Sequence, residues 1–183
     1  MDRTSLTHPL QIAEVRPSPH CGRIGITFCP GKVQPDGATG SWCRDLHIDL
    51  DAVRAWGACA ALTLVEEHEL VALQVPDLGD QVRRRGLLWF HLPIADYAIP
   101  SAEFEAAWRD AGGQLRKLLA SNKDIVVHCK GGLGRAGTIA ARLLIEMGVE
   151  ASDAIARVRA ARAGAIETTG QERYVLSCKS SGV

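Results

Sequence analysis

Little in this sequence is in excess, and what it lacks excludes whole classes of function. Net charge is absent: 21 Lys and Arg balance 21 Asp and Glu over 183 residues. No overall basic footprint exists for nucleic acid or for an acidic membrane surface, so neither is expected as a partner. The three adjacent arginines of QVRRRG (81–86) read as a solvated face. No apolar run is long enough to cross a bilayer, and the opening MDRTSLTHPLQIAEVRPSPH shows no apolar core of a secretory signal. The six cysteines (Cys21, Cys29, Cys43, Cys59, Cys129 and Cys178) form no CxxC pair. With no export signal, free thiols in a reducing cytoplasm are expected. Cys21, Cys29 and Cys43 could be grouped with His20 or His47 as metal ligands. Their spacings lack the short knuckle of zinc sites, so neither a metal nor another cofactor is expected.

What is present fits one ordinary globular domain, 46% hydrophobic and 23% charged. Residues 1–22, with Pro9, Pro17 and Pro19, read as an irregular lead-in. RIGITF (23–28) alternates as a strand, and CPGKVQPDGATGS (29–41) is a turn-rich loop. A helix is expected from Leu46 to Trp56, stopping at Gly57. CAALTLV, LLWFHL and DIVVHC read as further strands, with short helices between the first two. From 102 to 119 the stripe Phe104, Ala107, Trp108, Ala111, Leu115, Leu118 and Leu119 predicts a long helix, with Gly112–Gly113 tolerated inside it. Two helices follow Arg135, and a last one opens at Thr169, with Glu172 placed for a capping box. Strands alternating with helices imply an α/β layer structure: a central, mostly parallel sheet flanked by helices.

The stretch IVVHCKGGLGRAGTIAARLLIEMG (125–148) carries the chemistry. Cys129 falls where a strand hands over to a helix, the edge at which open α/β sheets bind ligands. Gly131, Gly132 and Gly134 let the backbone curl until successive N–H groups point inward, and a helix N-terminus adds unpaired donors. Lys130 and Leu133 complete the loop, and Arg135 offers a planar fork to two oxygens. This is a cradle for a tetrahedral oxyanion with sulfur at its base. A thiolate is the nucleophilic form of cysteine, and helix N-termini and cations favour it. No Gly-Lys-Ser/Thr ending follows, which excludes the nucleotide P-loop; the arginine opening the helix excludes the dinucleotide fingerprint.

HCKGGLGRAGT resembles the His-Cys-five residues-Arg signature of cysteine-dependent protein tyrosine and dual-specificity phosphatases. LPIAD before it and RAARAGAIETTGQERYV after it look like the kinase-associated branch of that family. The resemblance implies a phosphatase-like catalytic domain over 23–183 with Cys129 as nucleophile and Lys130 to Arg135 as phosphate cradle. It implies metal-free hydrolysis of phosphotyrosine, and often of phosphoserine or phosphothreonine, on a phosphoprotein. The family's hydroxyl directly after the arginine is missing: Ala136 stands there, and Thr138 lies two residues on. That departure bears on release of the thiolate rather than on reaction class.

The leaving oxygen needs a proton, and two carboxylates compete to supply it. Asp77 sits in VPDLG; Asp96 sits in HLPIADYAIP, one crossover before the Cys129 strand, and strand ends one crossover apart are expected to be neighbours. Position favours Asp96, and the resembled family has its acid at this place. His128 should point away from the site and orient the loop. Gln171 is either a positioner of water or an ordinary first-turn helix residue. The competing functions are the same chemistry on a phosphoinositide or RNA 5′-phosphate, a phosphopeptide-binding module without catalysis, and an arsenate reductase. Few basic residues in the loop weigh against the first; the intact Cys129, Arg135 and Asp96 weigh against the second. The loop's late position and the lack of a resolving cysteine pair weigh against the third.

Overall fold

The computed structural model describes residues 2–37 and 40–180. The elements run β1 (Ala13–Val15), β2 (Ile24–Phe28), β3 (Val33–Gln34), β4 (Trp42–Cys43), α1 (Leu46–Trp56), β5 (Ala58–Thr63) and α2 (Glu67–Ala72). They continue with α3 (Leu78–Arg84), β6 (Leu88–His91), α4 (Ala102–Ala120), β7 (Asp124–Cys129), α5 (Gly134–Glu146), α6 (Ala151–Ala161) and α7 (Thr169–Ser177). The expected α/β architecture is present. A five-stranded sheet has the order β1-β2-β7-β5-β6, with β1 antiparallel to β2 and the other four strands mutually parallel. Two groups of helices cover it: α1 and α3 pack on β5 and β6, while α4, α5 and α6 pack on β7, β2 and β1.

The sheet's centre is β7, whose Ile125, Val126 and Val127 are fully enclosed. A strand paired on both sides and covered on both faces reads as a continuous apolar run, which is why DIVV shows no alternation. Helix α5 is buried nearly all round, and each of Ile139, Leu143 and Leu144 contributes about 1.5–3 kcal/mol by leaving water. In α4 the first glycine of the pair has a packing cause: a Cβ on Gly112 would lie 2.6 Å from the Trp108 indole. The helix is continuous, with Ser101 capping Phe104 N–H, although Ala107, expected to face inward, is exposed.

The lead-in differs from expectation. Its β1 extends the sheet, and Thr4 and His8 give their carbonyls to the buried Arg44. The turn-rich loop likewise carries β3, which forms a two-stranded hairpin with β4 just beyond it; residues 38 and 39 of the loop lie outside the described residues, as do residue 1 and residues 181–183. The last helix is capped by Thr168 with Gln171 rather than by Thr169 with Glu172, one residue earlier than the sequence suggested.

Under this hairpin lies an ion pair with no exposed side-chain surface. Asp49 of α1 takes Arg44 Nε and Nη2 at 2.8 Å each, and its Oδ2 also accepts Gly31 N–H at 2.8 Å. Removing one member strands a buried charge, which costs more than the pair contributes. Asp49→Ala should lower unfolding free energy in urea by about 3–5 kcal/mol; a loss under about 1 kcal/mol would show that the pair is not what seats the lead-in and hairpin on the sheet.

Candidate active site

The parallel strands end together: the register aligns Phe28 with Cys129, Thr63 with His128, and Thr63 with His91. Four loops therefore leave the same edge of the sheet, and each brings one polar element. The loop after β2 carries Lys32, α2 after β5 carries Glu69, the loop after β6 carries Asp96, and the loop after β7 starts at Cys129. This is the ligand edge of an open α/β sheet.

Cys129 is buried at the end of β7, and Gly132 N–H points at its Sγ from 3.2 Å. Gly132 has φ +71, and a Cβ there would lie 2.5 Å from Phe28 N, so both conformation and space demand glycine. At the wall of the cavity that Cys129 lines, Arg162 donates from Nε to Gly132 carbonyl at 3.1 Å and from Nη2 to Gly131 carbonyl at 3.2 Å. In a trans peptide the following N–H points the opposite way, so holding these carbonyls turns the Gly132 and Leu133 amides away from Arg162. Gly134 opens α5 against the side chains of Glu167 and Gln171.

Arg135 is buried and its fork is held by three groups. Nη1 donates to Glu69 Oε2 at 2.6 Å and to Ile94 carbonyl at 2.9 Å; Nη2 donates to Glu69 Oε1 at 2.9 Å and meets Asp96 Oδ1 at 3.0 Å. Burial alone would raise the Glu69 carboxyl, but hydrogen bonds from Arg135 and the Glu66 amide hold it below the usual carboxylate range. The same pairing keeps Arg135 above its ordinary value despite burial, so it stays charged.

Asp96 reaches this arginine by a route other than the one expected. β6 is not beside β7, because β5 lies between them. The chain leaving β6 crosses the end of β5 instead, with Leu92 N–H on Thr63 carbonyl at 3.0 Å and Ile94 N–H on Leu64 carbonyl at 2.9 Å. The Asp96 side chain is 45% exposed, and Tyr97 beside it adopts φ 58, a conformation rare outside glycine. Asp77 sits elsewhere, at the start of α3, accepting Gln81 Nε2 at 2.9 Å.

A cavity of about 420 Å³ brings together Cys129, Lys130, Gly131, Leu133, Arg135 and Asp96. The remaining residues singled out from sequence stay behind it. His128 bonds Thr63 Oγ1 at 2.8 Å through Nε2, and burial drives its pKa down to about 3, so it is neutral and away from the cavity. Thr138 donates its hydroxyl to Gly134 carbonyl at 2.7 Å, and Ala136 is enclosed. The Gln171 amide is committed: Oε1 accepts Glu167 N–H at 3.0 Å and Thr168 N–H at 3.3 Å, and Nε2 donates to Ala98 carbonyl at 3.2 Å. It ties the loop carrying Asp96 to α7, as a helix-capping residue does.

Three polar residues at the site escaped the sequence. Glu69 is one of several acids in EEHEL, and only its inward face on α2 distinguishes it. Arg162 stood in the RAARAG stretch without a role. Lys32, in a turn-rich loop, gave no signal; it is 4% exposed, and burial lowers its pKa to about 8. Among the described residues no group of His, Cys, Asp and Glu could hold a metal, and no helix is long and apolar enough to cross a membrane.

Comparison with known proteins agrees with this geometry. Residues 49–175 match the family model described as "PTP-SAK: Swiss Army Knife protein, DSP-PTPase phosphatase domain". Cyclin-dependent kinase inhibitor 3 of Rattus norvegicus is 30% identical over 135 residues, covering 72% of this chain and 62% of that protein. The match thus spans less than two thirds of the curated relative. A crystal structure of kinase associated phosphatase, with its catalytic-site cysteine substituted by serine, superposes with TM-score 0.79 at 27% identity over 91% of this chain and 92% of that one. Tk-PTP in its active form gives TM-score 0.64 at 28% identity, covering 89% and 93%. The chain belongs to the Swiss Army Knife family of DSP-PTPase phosphatase domains, close to the branch of the kinase-associated phosphatase.

Proposed function

We propose that this domain hydrolyses phosphate monoesters on proteins through a cysteinyl-phosphate, accepting phosphotyrosine and, with poorer leaving groups, phosphoserine and phosphothreonine. The observation that carries the reading is one cavity in which the Cys129 sulfur, the loop amides and an arginine touching Asp96 converge. The cysteine at the catalytic site of the similar kinase associated phosphatase supports the same role for Cys129. The six free cysteines fit a reducing, cytoplasmic setting.

In the first step the Cys129 thiolate attacks phosphorus in line; an S–P bond forms as the ester P–O bond breaks, and Asp96 gives its proton to the leaving oxygen. Arg135 and the amides of the loop take the charge on the equatorial oxygens. Glu69 holds one side of the guanidinium, and Nη2 is shared with Asp96. A phosphate dianion competing for that edge frees Asp96 to turn to the leaving group. In the second step water attacks phosphorus, Asp96 takes its proton, and the S–P bond breaks to return the thiolate and release inorganic phosphate. An aryl phosphate has the better leaving group, which favours phosphotyrosine on chemistry alone.

Hydrolysis of para-nitrophenyl phosphate should persist in excess chelator and fall by at least about 10³-fold in Cys129→Ser, the scale of losing a covalent nucleophile. Undiminished turnover in that variant would remove the cysteine mechanism.

The acid is tested by leaving-group dependence. Asp96→Ala should cost about 10²–10⁴-fold in kcat on a phosphopeptide and much less on an activated aryl ester. Asp77→Ala should change neither. Reversal of the two would reassign the acid.

With the Thr138 hydroxyl occupied at Gly134 and Ala136 lacking one, release of the thiolate has no side-chain donor from this turn. Rapid-mixing measurements should show a product burst that shrinks in Ala136→Ser as the steady-state rate rises. No burst in either protein would place the slow step elsewhere.

A further inference from the structure

We infer that Lys32 forms a second anion subsite beside the catalytic loop, which selects phosphorylated segments carrying an acidic or phosphorylated residue next to the target. The inference rests on the phosphoprotein reading above and deepens it.

Three cations are buried among the described residues: Arg44, Arg135 and Lys32. Arg44 has Asp49 and Arg135 has Glu69. Lys32 has no carboxylate within ion-pair distance among the described residues. Its ammonium donates to Lys130 carbonyl at 3.3 Å and Gln34 Oε1 at 3.4 Å, both long and both neutral. It also lies 4.6 Å from the Trp42 ring and 5.2 Å from the Phe28 ring, whose negative faces return only part of the lost hydration. A buried ammonium so placed is an unfilled demand for negative charge.

That demand opens onto the cavity. Lys32 lines it together with Trp42 and Arg3, and the Arg3 guanidinium lies 5.1 Å from the same indole ring. Arg3 likewise has no carboxylate partner among the described residues. The result is a wall in which Trp42 carries two cavity-lining cations, Lys32 and Arg3, on a chain whose overall charge is zero. The scissile phosphate does not need it, being served by Arg135 and the loop amides. Two carboxylates border the cavity, Asp96 and Glu167; the first is engaged by Arg135, and the second lies against Gly134.

The position of the amine says where the second charge must sit. Lys32 Nζ is bonded to the carbonyl of the residue directly after Cys129, so its partner anion must lie close to the reacting phosphate. On a polypeptide this means a side chain immediately flanking the phosphorylated residue. A glutamate, an aspartate or a second phosphate meets the requirement, with charge-assisted hydrogen bonds to an ammonium already ordered in the free protein.

The test compares phosphotyrosine peptides that differ only in the flanking residues: Gln on both sides, Glu on both sides, or phosphoserine on one. Phosphate release should give wild type a kcat/KM about tenfold higher for the acidic peptides, expressed mainly in KM. The acidic-to-Gln ratio should fall to about twofold or less in Lys32→Met and persist in Lys32→Arg. Arg3→Ala, at the cavity rim, should lower it in the same direction, which keeps the test open if Lys32→Met folds poorly. Equal kcat/KM for the wild-type protein on all peptides, or an unchanged ratio in Lys32→Met, would overturn the subsite. So would faster turnover of phosphoinositide bisphosphate vesicles than of every acidic peptide. Wild-type turnover of the Gln-flanked peptide, lost in Cys129→Ser, reads the phosphatase mechanism separately from the subsite.

Discussion

Burying a guanidinium at the edge of a sheet is costly unless a counter-charge is buried with it, and the Arg135–Glu69 pair answers that constraint. It joins the first turn of α5 to α2, and the Ile94 carbonyl adds the loop after β6 to the same fork. Three segments distant in sequence are thereby fixed around one side chain. Replacing such a pair with apolar residues is often neutral for stability, so its value here lies in orientation. With Glu69 on both terminal nitrogens, the planar fork has one remaining edge for an incoming anion, and Asp96 already touches it at 3.0 Å.

The second buried pair, Arg44 with Asp49, does for the outer wall what the first does for the Cys129 loop. Its carboxylate also takes the Gly31 amide, and its guanidinium holds the lead-in by Thr4 and His8. Lys32 follows Gly31 directly, so the position of that ammonium descends from the Asp49 carboxylate. Phe28, which ends β2 opposite Cys129, carries Arg44 at 4.8 Å from its ring on the way to the hairpin. The wall bearing Lys32 and the cradle bearing Cys129 are thus separate constructions meeting at adjacent strand ends.

The shape of the Cys129 loop was legible in sequence because its requirements are local. A strand-ending Cys129, a glycine at a left-handed φ and an arginine opening a helix are all written within seven residues. The four parallel strands and the long helices were legible for a related reason: each rests on apolar periodicity or on a continuous apolar run. Residues whose roles depend on distant partners were not. Glu69 is 66 positions from Arg135, and Lys32 is 98 from the carbonyl it meets. Strand order was misjudged where chain proximity stood in for spatial order: β5 separates β6 from β7, and Asp96 arrives only because its loop crosses that strand end. β1 was missed because a three-residue strand between prolines has too little pattern to announce itself. Gln171 could be read two ways from sequence, and its carbonyl and amide bonds fit the helix cap.

The reading of this site depends on sulfur, and not a side-chain nitrogen or a water molecule, making the bond to phosphorus. Asp96→Ala protein mixed with para-nitrophenyl phosphate retains a substrate that needs little acid for the first step and loses the base for the second. Acid quench followed by peptide mass analysis should find one phosphate on the peptide containing Cys129, bound as an S–P ester and absent in Cys129→Ser. Product released in the first turnover with no phosphate on Cys129, or with phosphate on His128 instead, would contradict it.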